Sequence, residues 1–494
     1  MKLKKEMGIA TIANWSTTVV MYIIAFFSTP YIVHTFGNVQ YGIWSLAMSL
    51  TASFGMIELG VSTTLIKYFS DYSEKKDTTS ANALLSTGFF TYIVLFFVLL
   101  MIMLIVIWKV EYLFNIPDHL IRETKILFLL VTVAFGLNLL GNTFLAVIMS
   151  LRKFVIKNQI IIGISIVRVL GIVFVLYAGF GLIVAGVVVL LIDILRNIIF
   201  FIYALKLFPS THISLKLINL PFFKNFFSFT FFNFLRKIAV KMLERADLIL
   251  VGIFFDMQTV AIYSIAESLV RYARMFPNGI LNIILPFSSK LNAQQQKKDL
   301  MKIAFFIPKY TISFFLGIIF LFIFFGTQFI ELWLGNGYEQ AYLITIVLLI
   351  AKAIYMSQSV IVHLLVGMGY NKFFGIIGIV EALLKIIISI IFLKIFGVLG
   401  IAYGSLVVFF IITMIIIPYY VMDIIGINKF KYYTEAIFIP MLLCFILYFC
   451  NSFIEIRSFL WIPVLVLEYC LLFYLFVWKE VRFKNKKLVF DFSF

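Results

Sequence analysis

Residues 89–108 of the chain read FFTYIVLFFVLLMIMLIVIW, a stretch of twenty residues without a charged side chain. A helix of this length rises about 30 Å, which matches the hydrocarbon core of a bilayer. The apolar residues do not alternate with polar ones, as they would in a membrane-spanning strand. The stretch therefore predicts a transmembrane α-helix, because a helix bonds its own backbone groups where water is absent.

The rest of the chain has the same character. Of its 494 residues, 63% are hydrophobic and only 13% are charged, against about 25% charged in soluble domains. A soluble fold could not bury this much apolar surface, so we predict an all-α integral membrane protein. About fourteen spans are expected, near 9–33, 41–66, 83–108, 125–149, 155–177, 181–205, 225–254, 260–286, 303–328, 341–366, 373–395, 398–421, 434–453 and 458–478.

The lysines and arginines in the loops and at the ends of the spans divide unequally between the two sets of alternating loops. The set that includes both termini carries 24 of them, and the other set carries 5. Loops rich in Lys and Arg stay in the cytoplasm, so both termini are predicted to be cytoplasmic. The net charge of +17 does not indicate nucleic-acid binding, because the cations form no basic domain.

The chain matches itself at an offset of 219 residues, as Gly60 with Gly279 and Gly181 with Gly400 illustrate. This offset covers six spans, an even number, so the two halves are predicted to be parallel repeats. We expect an N-terminal lobe (1–205, spans 1–6), a cytoplasmic linker (206–224), a C-terminal lobe (225–421, spans 7–12), and spans 13 and 14 with a basic tail (422–494).

Cations inside the spans are the main functional signal, because each costs roughly 2.5–3.5 kcal/mol at the centre of a helix. In span 8, Glu267, Arg271 and Arg274 share one helical face. Such stripes indicate a water-filled cavity that attracts an anion, and arginine binds phosphate oxygens with two hydrogen bonds. The eleven cations are Arg168, Arg196, Arg236, Lys237, Lys241, Arg245, Arg271, Arg274, Lys309, Lys352 and Lys385.

Ion pairing within helices is the alternative explanation for these charges. Asp193 could neutralise Arg196, Glu267 could neutralise Arg271, and Glu381 could neutralise Lys385. Pairing cannot absorb every cation, because the acids in the spans are fewer. Lys309 is expected to extend to the cytoplasm from the first turns of its span.

No motif in the chain predicts an enzyme, a cofactor or a metal. The phosphate-loop pattern G-x-x-x-x-G-K-[ST] and the zinc pattern H-E-x-x-H are both missing from the sequence. Cys444, Cys450 and Cys470 lack metal or redox spacing. Two parallel repeats are typical of an alternating-access transporter, so we expect a transporter without a cofactor.

Three further stretches lie at the ends of spans. Residues 29–47 read TPYIVHTFGNVQYGIWSLA, residues 58–60 read ELG, and residues 245–252 read RADLILVG, with VAIYS at 260–264. They resemble the first hairpin, the Asp-Leu-Gly at the end of the second span, and the seventh-to-eighth hairpin of the Wzx-type oligosaccharide flippases of the multidrug/oligosaccharidyl-lipid/polysaccharide (MOP) superfamily. Glu58 replaces the family's Asp.

The resemblance implies two six-helix lobes in a V-shaped bundle, as in MOP and MATE transporters, plus two C-terminal helices. It implies that an undecaprenyl-diphosphate-linked oligosaccharide moves from the cytoplasmic to the outer leaflet of the bacterial inner membrane. Such a unit would serve O-antigen, capsule or a similar surface polysaccharide. Movement would follow alternating access, without enzymatic activity.

On this hypothesis a cationic cavity holds the diphosphate. The candidate residues are Arg168, Arg245, Arg271, Arg274, Lys352 and Lys385. Candidates for gating pairs or ion coupling are Glu58, Asp247 and Glu267, with a proton or sodium gradient as the driving force to be tested. Candidate partners besides the lipid-linked oligosaccharide are membrane lipid, a polysaccharide polymerase and chain-length proteins.

Two other functions remain open from the sequence. A MATE-like multidrug cation antiporter would need an acidic or aromatic cavity, whereas the surplus here is basic. A membrane polysaccharide polymerase or glycosyltransferase would need a large external loop or an external acidic pair. The longest external loop, around 109–124, is short.

Overall fold

The computed structural model describes residues 2–56, 58, 60–219, 231–452, 461–477, 481–484 and 487–490. The first helices are α1 (Lys2–Ser53), α2 (Val61–Glu74), α3 (Thr78–Trp108), α4 (Val110–Leu113), α5 (Ile121–Ser150), α6 (Phe154–Tyr177) and α7 (Leu182–Leu207). The later helices are α8 (Phe231–Phe254), α9 (Met257–Ala273), α10 (Met275–Ala293), α11 (Lys297–Leu334), α12 (Gln340–Gly367), α13 (Asn371–Phe396), α14 (Val398–Ile425), α15 (Lys429–Ser452) and α16 (Ile462–Val477). An antiparallel hairpin of β1 (Val481–Lys484) and β2 (Lys487–Phe490) follows.

Among the described residues, ten helices are long and apolar enough to cross a membrane. Helices α8 and α9 are not among the ten: α8 carries six charged side chains and α9 has only 17 residues. A helical, multi-pass membrane protein is thereby confirmed. The count of fourteen spans and the V-shaped arrangement of the lobes stay predictions. The basic tail adds a short β-hairpin to this helical fold.

Helix α1 is interrupted at Gly37, whose backbone (φ 69°, ψ 168°) lies outside the helical region. Glycine tolerates this positive φ because it has no Cβ. The interruption separates the first two predicted spans, 9–33 and 41–66. A 3₁₀ turn at Phe54–Met56 then leads toward α2.

Two later helices widen into π-helical turns that end just before a proline. In α14 the turn is Phe409–Ile416 and precedes Pro418, and in α15 it is Tyr432–Phe438 and precedes Pro440. A proline has no N–H, and its ring clashes with the carbonyl of residue i−4. A wider turn relieves this clash, so the sequence accounts for both π turns.

By internal contacts the chain divides into two compact units. Unit 1 comprises Met1–Ser264 with Gly375–Ala382, and unit 2 comprises Ile265–Phe374 with Leu383–Phe494. This division differs from the predicted lobes, 1–205 and 225–421, whose boundaries stay a prediction.

Each unit has its own apolar core. In unit 1, α5 packs against α7 and α3, and Leu65, Phe69 and Tyr92 belong to a core shared by α2, α3 and α5. In unit 2, α12 is the central helix, because 83% of its most apolar window is buried. Helices α15 and α16 pack on α11, where Tyr469 donates a hydrogen bond to the Ser313 carbonyl.

The described part of the predicted linker is held against α3. The Asn82 amide donates to the Ser210 carbonyl at 2.7 Å and accepts from the His212 N–H at 3.0 Å. The Ser214 N–H donates to the Ser86 hydroxyl at 3.1 Å. The segment after α7 is therefore part of unit 1 rather than a free tether. Residues 220–224 lie outside the described residues.

Candidate functional site

Arg168 of α6 and Asp193 of α7 form an ion pair within unit 1. The Asp193 side chain is 4% exposed and the Arg168 side chain is 34% exposed. Spacing along the chain suggested Arg196 as the partner, but the facing helix brings Arg168 to the carboxylate instead. The Arg196 guanidinium lies over the Phe200 ring, 5.7 Å from its centroid, and still experiences the charge of Asp193.

Glu58 lies where the helix is interrupted before α2. One carboxylate oxygen accepts hydrogen bonds from the Ser62 hydroxyl at 2.7 Å and from the Asn142 amide at 2.8 Å. The Ser62 hydroxyl is also 2.9 Å from the Tyr92 hydroxyl. The charge of Glu58 acts on Arg196 as well. An anchored carboxylate among cations suits the gating or ion-coupling role predicted for it, which stays a prediction.

The charged stripe of α8 is helical, as its spacing predicted. The Lys241 ammonium lies 3.2 Å from the Glu244 carboxylate. Arg245 is half-buried, and Asp247 is 3% exposed. Three of the predicted unit 1 residues, Arg168, Arg245 and Asp247, thus lie at least partly inside the protein.

The charges of α9 lie at its C-terminal end, in unit 2. The Arg271 guanidinium donates to the Ser268 hydroxyl at 2.9 Å. Arg274 stands in the turn between α9 and α10, because Pro277 opens the next helix and its ring would clash with the carbonyl of Ala273. Arg271 and Arg274 are half-buried, as is Glu267.

Of the six cations predicted to contact the diphosphate, Lys352 of α12 and Lys385 of α13 are the most deeply buried. They are 7% and 1% exposed. Their ammonium groups lie 4.9 Å and 5.9 Å from the centroid of the same Phe409 ring, and Lys352 also lies 5.6 Å from the ring of Tyr355. The structure therefore brings together two predicted residues from separate helices. The aromatic ring that both ammonium groups approach was not predicted.

The expectation that Lys309 extends to the cytoplasm is wrong. Its side chain is 3% exposed, and its ammonium lies 5.9 Å from the Phe306 ring centroid. Helix α11 begins at Lys297, earlier than the predicted start near 303, so Lys309 lies three turns inside the helix. It is a further buried cation of unit 2.

On the helix that carries Lys352, Gln358 connects α12 to both π turns. The Tyr432 hydroxyl donates to the Gln358 oxygen at 2.7 Å, and the Gln358 amide lies 3.6 Å from the Met414 sulfur. Gln358 and Tyr432 are both fully buried. Sequence reasoning missed this contact, although Pro418 and Pro440 were visible signals of irregular helices.

Replacing Tyr432 with phenylalanine is expected to destabilise the protein by about 1–2 kcal/mol, because the buried Gln358 oxygen loses its hydroxyl donor. The measurement is the midpoint of thermal unfolding of the purified protein in detergent. Tyr420→Phe is the matched control, since Tyr420 is 46% exposed. Equal midpoints for the two variants would contradict the prediction.

The fold and these charges together define a class: a multi-pass helical membrane protein with cations held in its interior. Residues 10–292, more than half of the chain, match the family described as polysaccharide biosynthesis protein. The chain therefore belongs to that family. It is also 20% identical over 300 residues to the uncharacterized membrane protein EpsK of Bacillus subtilis (strain 168). That match covers 59% of this chain and 58% of the relative, which is less than two thirds of its length.

Solved structures share the fold. The lipid II flippase MurJ, in an inward closed conformation, aligns with a TM-score of 0.72 at 16% identity and covers 95% of this chain and 97% of its own. The MATE multidrug transporter DinF-BH aligns with a TM-score of 0.63 at 15% identity, over 86% of this chain and 97% of its own. The chain thus has the MOP-type fold that its sequence resembles.

Proposed function

We propose that this protein is a flippase that moves undecaprenyl-diphosphate-linked oligosaccharide units from the cytoplasmic to the outer leaflet of the bacterial inner membrane. Membership of the polysaccharide biosynthesis family supports a role in surface polysaccharide assembly. The fold shared with a lipid II flippase supports transport rather than catalysis. On this proposal both termini are cytoplasmic, and a polymerase and chain-length proteins are candidate partners.

The observation that carries the proposal is the burial of Lys352 and Lys385 around one aromatic ring. Keeping cations inside a membrane-spanning bundle is costly, and such residues mark substrate pathways. A diphosphate offers several anionic oxygens, to which lysine ammonium groups form charge-assisted hydrogen bonds. We assign the headgroup contacts to these two lysines together with Arg168, Arg245, Arg271 and Arg274.

Acidic residues supply the second part of the proposal. Glu58, Asp247 and Glu267 form gating pairs or couple transport to a proton or sodium gradient. The hydrogen bonds of Glu58 with Ser62 and Asn142 support this role, because ionisable residues within membrane-spanning segments mark ion and proton pathways.

The test is translocation of a fluorescent undecaprenyl-diphosphate-linked oligosaccharide in proteoliposomes, read as the fraction quenched by an external reductant. Arg271→Ala and Arg274→Ala are each expected to slow translocation about tenfold, because each removes a charge-assisted hydrogen bond to the diphosphate. Arg122→Ala, at an exposed position of α5, is the matched control. Parent rates in both test variants would contradict the headgroup assignment.

A second candidate is a multidrug cation antiporter, which the likeness to a MATE multidrug transporter favours. The buried lysines oppose it, because they repel a cationic drug. Drug efflux from cells expressing the protein, without translocation of the lipid-linked sugar, would establish this alternative. Glycan chain growth by the purified protein would instead establish a polymerase or glycosyltransferase.

A further inference from the structure

Phe409 covers both buried lysines of unit 2. Its ring centroid is 4.9 Å from the Lys352 ammonium and 5.9 Å from the Lys385 ammonium, and the ring packs on Tyr355 at 4.9 Å between centroids. Phe409 itself is fully buried. An anion cannot occupy the space beside the two ammonium groups on this side while the ring is there.

The helix that carries Phe409 is irregular at this position. Phe409 is the first residue of the π turn that ends at Ile416. The carbonyl of Met414 has no α-helical donor, because residue i+4 is Pro418. The Tyr433 hydroxyl replaces the missing donor, at 3.0 Å from the Met414 oxygen and 3.3 Å from the Ile415 oxygen.

The second π turn holds the first one in place. Tyr432 and Tyr433 are its first two residues, and both donate hydrogen bonds outward: Tyr432 to Gln358, and Tyr433 to the carbonyls of the first turn. Gln358 lies on α12, the helix that also carries Lys352. One side-chain network therefore connects the π turn of Phe409 to the helix of the lysine it covers.

A π turn is a local state that a helix can leave. Passing from a π turn to an α turn removes one residue from the turn, and a shift of one residue rotates a side chain by about 100° around the helix axis. Such a rotation would carry the Phe409 ring away from both ammonium groups. Breaking the hydrogen bonds of Tyr433 to the π turn would make this rotation of the Phe409 side chain easier.

We propose that Phe409 is a movable cap on the Lys352–Lys385 pair, held closed by the Tyr433 and Gln358 contacts, and displaced when a phosphate or diphosphate group binds the two lysines. The identity of that anion as a lipid-linked diphosphate rests on the proposed function. The cap itself does not, because it is a matter of access to the lysines.

The first experiment measures access. In the full chain with Cys444, Cys450 and Cys470 replaced by alanine, Lys352→Cys is labelled with the anionic reagent 2-sulfonatoethyl methanethiosulfonate. Adding Phe409→Ala is expected to raise the labelling rate at least tenfold. Adding Phe410→Ala is the matched control, since Phe410 is 51% exposed and is the next residue of the same turn. Equal rates for the two variants would overturn the cap.

A second variant keeps the test decisive if Phe409→Ala does not fold. Tyr433→Phe removes only the hydroxyl that bonds to the π turn, and it is expected to raise the labelling rate at least threefold. If Tyr433→Phe is labelled at the same rate as the parent, the Tyr433 hydrogen bonds do not hold the ring in place. That result would overturn the proposed role of Tyr433.

Binding of inorganic pyrophosphate, measured by calorimetry, separates the cap from the proposed function. With all lysines present, Phe409→Ala is expected to bind pyrophosphate about tenfold more tightly than the parent, because the closed state no longer competes with the anion. Faster labelling together with no pyrophosphate binding to any variant would leave Phe409 as a barrier to Lys352, but it would overturn both the displacement of the ring by an anion and the diphosphate site.

Discussion

Asp193→Ala is expected to destabilise the protein by about 3 kcal/mol, because it leaves the Arg168 guanidinium without its carboxylate between α6 and α7. This lies at the lower end of the cost for breaking a buried pair, since the Arg168 side chain is 34% exposed. The effect should appear as a lowered midpoint of thermal unfolding in detergent. Arg168→Ala should cost a similar amount, because Asp193 is the more buried partner.

The double variant Arg168→Leu with Asp193→Leu tests why the single variants lose stability. Removing both charges should restore much of the stability, because no uncompensated charge remains in the apolar interior. Translocation by this double variant then decides the role of Arg168. A stable but inactive protein assigns the guanidinium to the substrate, whereas a stable and active protein assigns it to structure. A double variant as unstable as Asp193→Ala would contradict the ion-pair explanation.

Gly42→Ala is expected to destabilise the protein by about 3 kcal/mol or more. A Cβ at Gly42 would lie 1.9 Å from the carbonyl oxygen of Met257 and 2.8 Å from its carbonyl carbon. Both are backbone atoms at the start of α9, within unit 1, so no side-chain rotation can relieve the clash. The measurement is again the midpoint of thermal unfolding, together with the yield of folded protein.

Gly163→Ala is the matched control, because a Cβ at Gly163 in α6 would meet nothing within 4 Å. Alanine favours a helix over glycine by roughly 0.5–1 kcal/mol, so this variant should be as stable as the parent or more stable. A normal midpoint in Gly42→Ala would show that α1 and the start of α9 do not approach as closely as the structure has them.

The helical membrane class could be predicted from sequence because hydropathy and helix length are local properties. The run at 89–108 lies within α3, and the charged stripe at Lys241, Glu244 and Arg245 lies within α8. Irregular positions could be predicted in part, since Pro277, Pro418 and Pro440 each accompany a break or a widened turn. The start of α11 was placed too late, and for that reason Lys309 was wrongly expected to reach water.

Partners across helices could not be predicted, because they depend on which faces meet. Spacing alone favoured Arg196 for Asp193, while packing of α6 on α7 supplied Arg168. Phe409 is one of 58 phenylalanines and carries no signal that distinguishes it in the sequence, and only the tertiary structure brings its ring close to both Lys352 and Lys385. The sequence by itself determined a membrane-spanning helical chain with cations inside it. The reason is that the order of apolar and charged residues along the chain sets both which segments enter the membrane and where a charge there is costly. The tertiary structure decided which acid, hydroxyl or ring each cation meets, because those contacts join residues far apart in sequence.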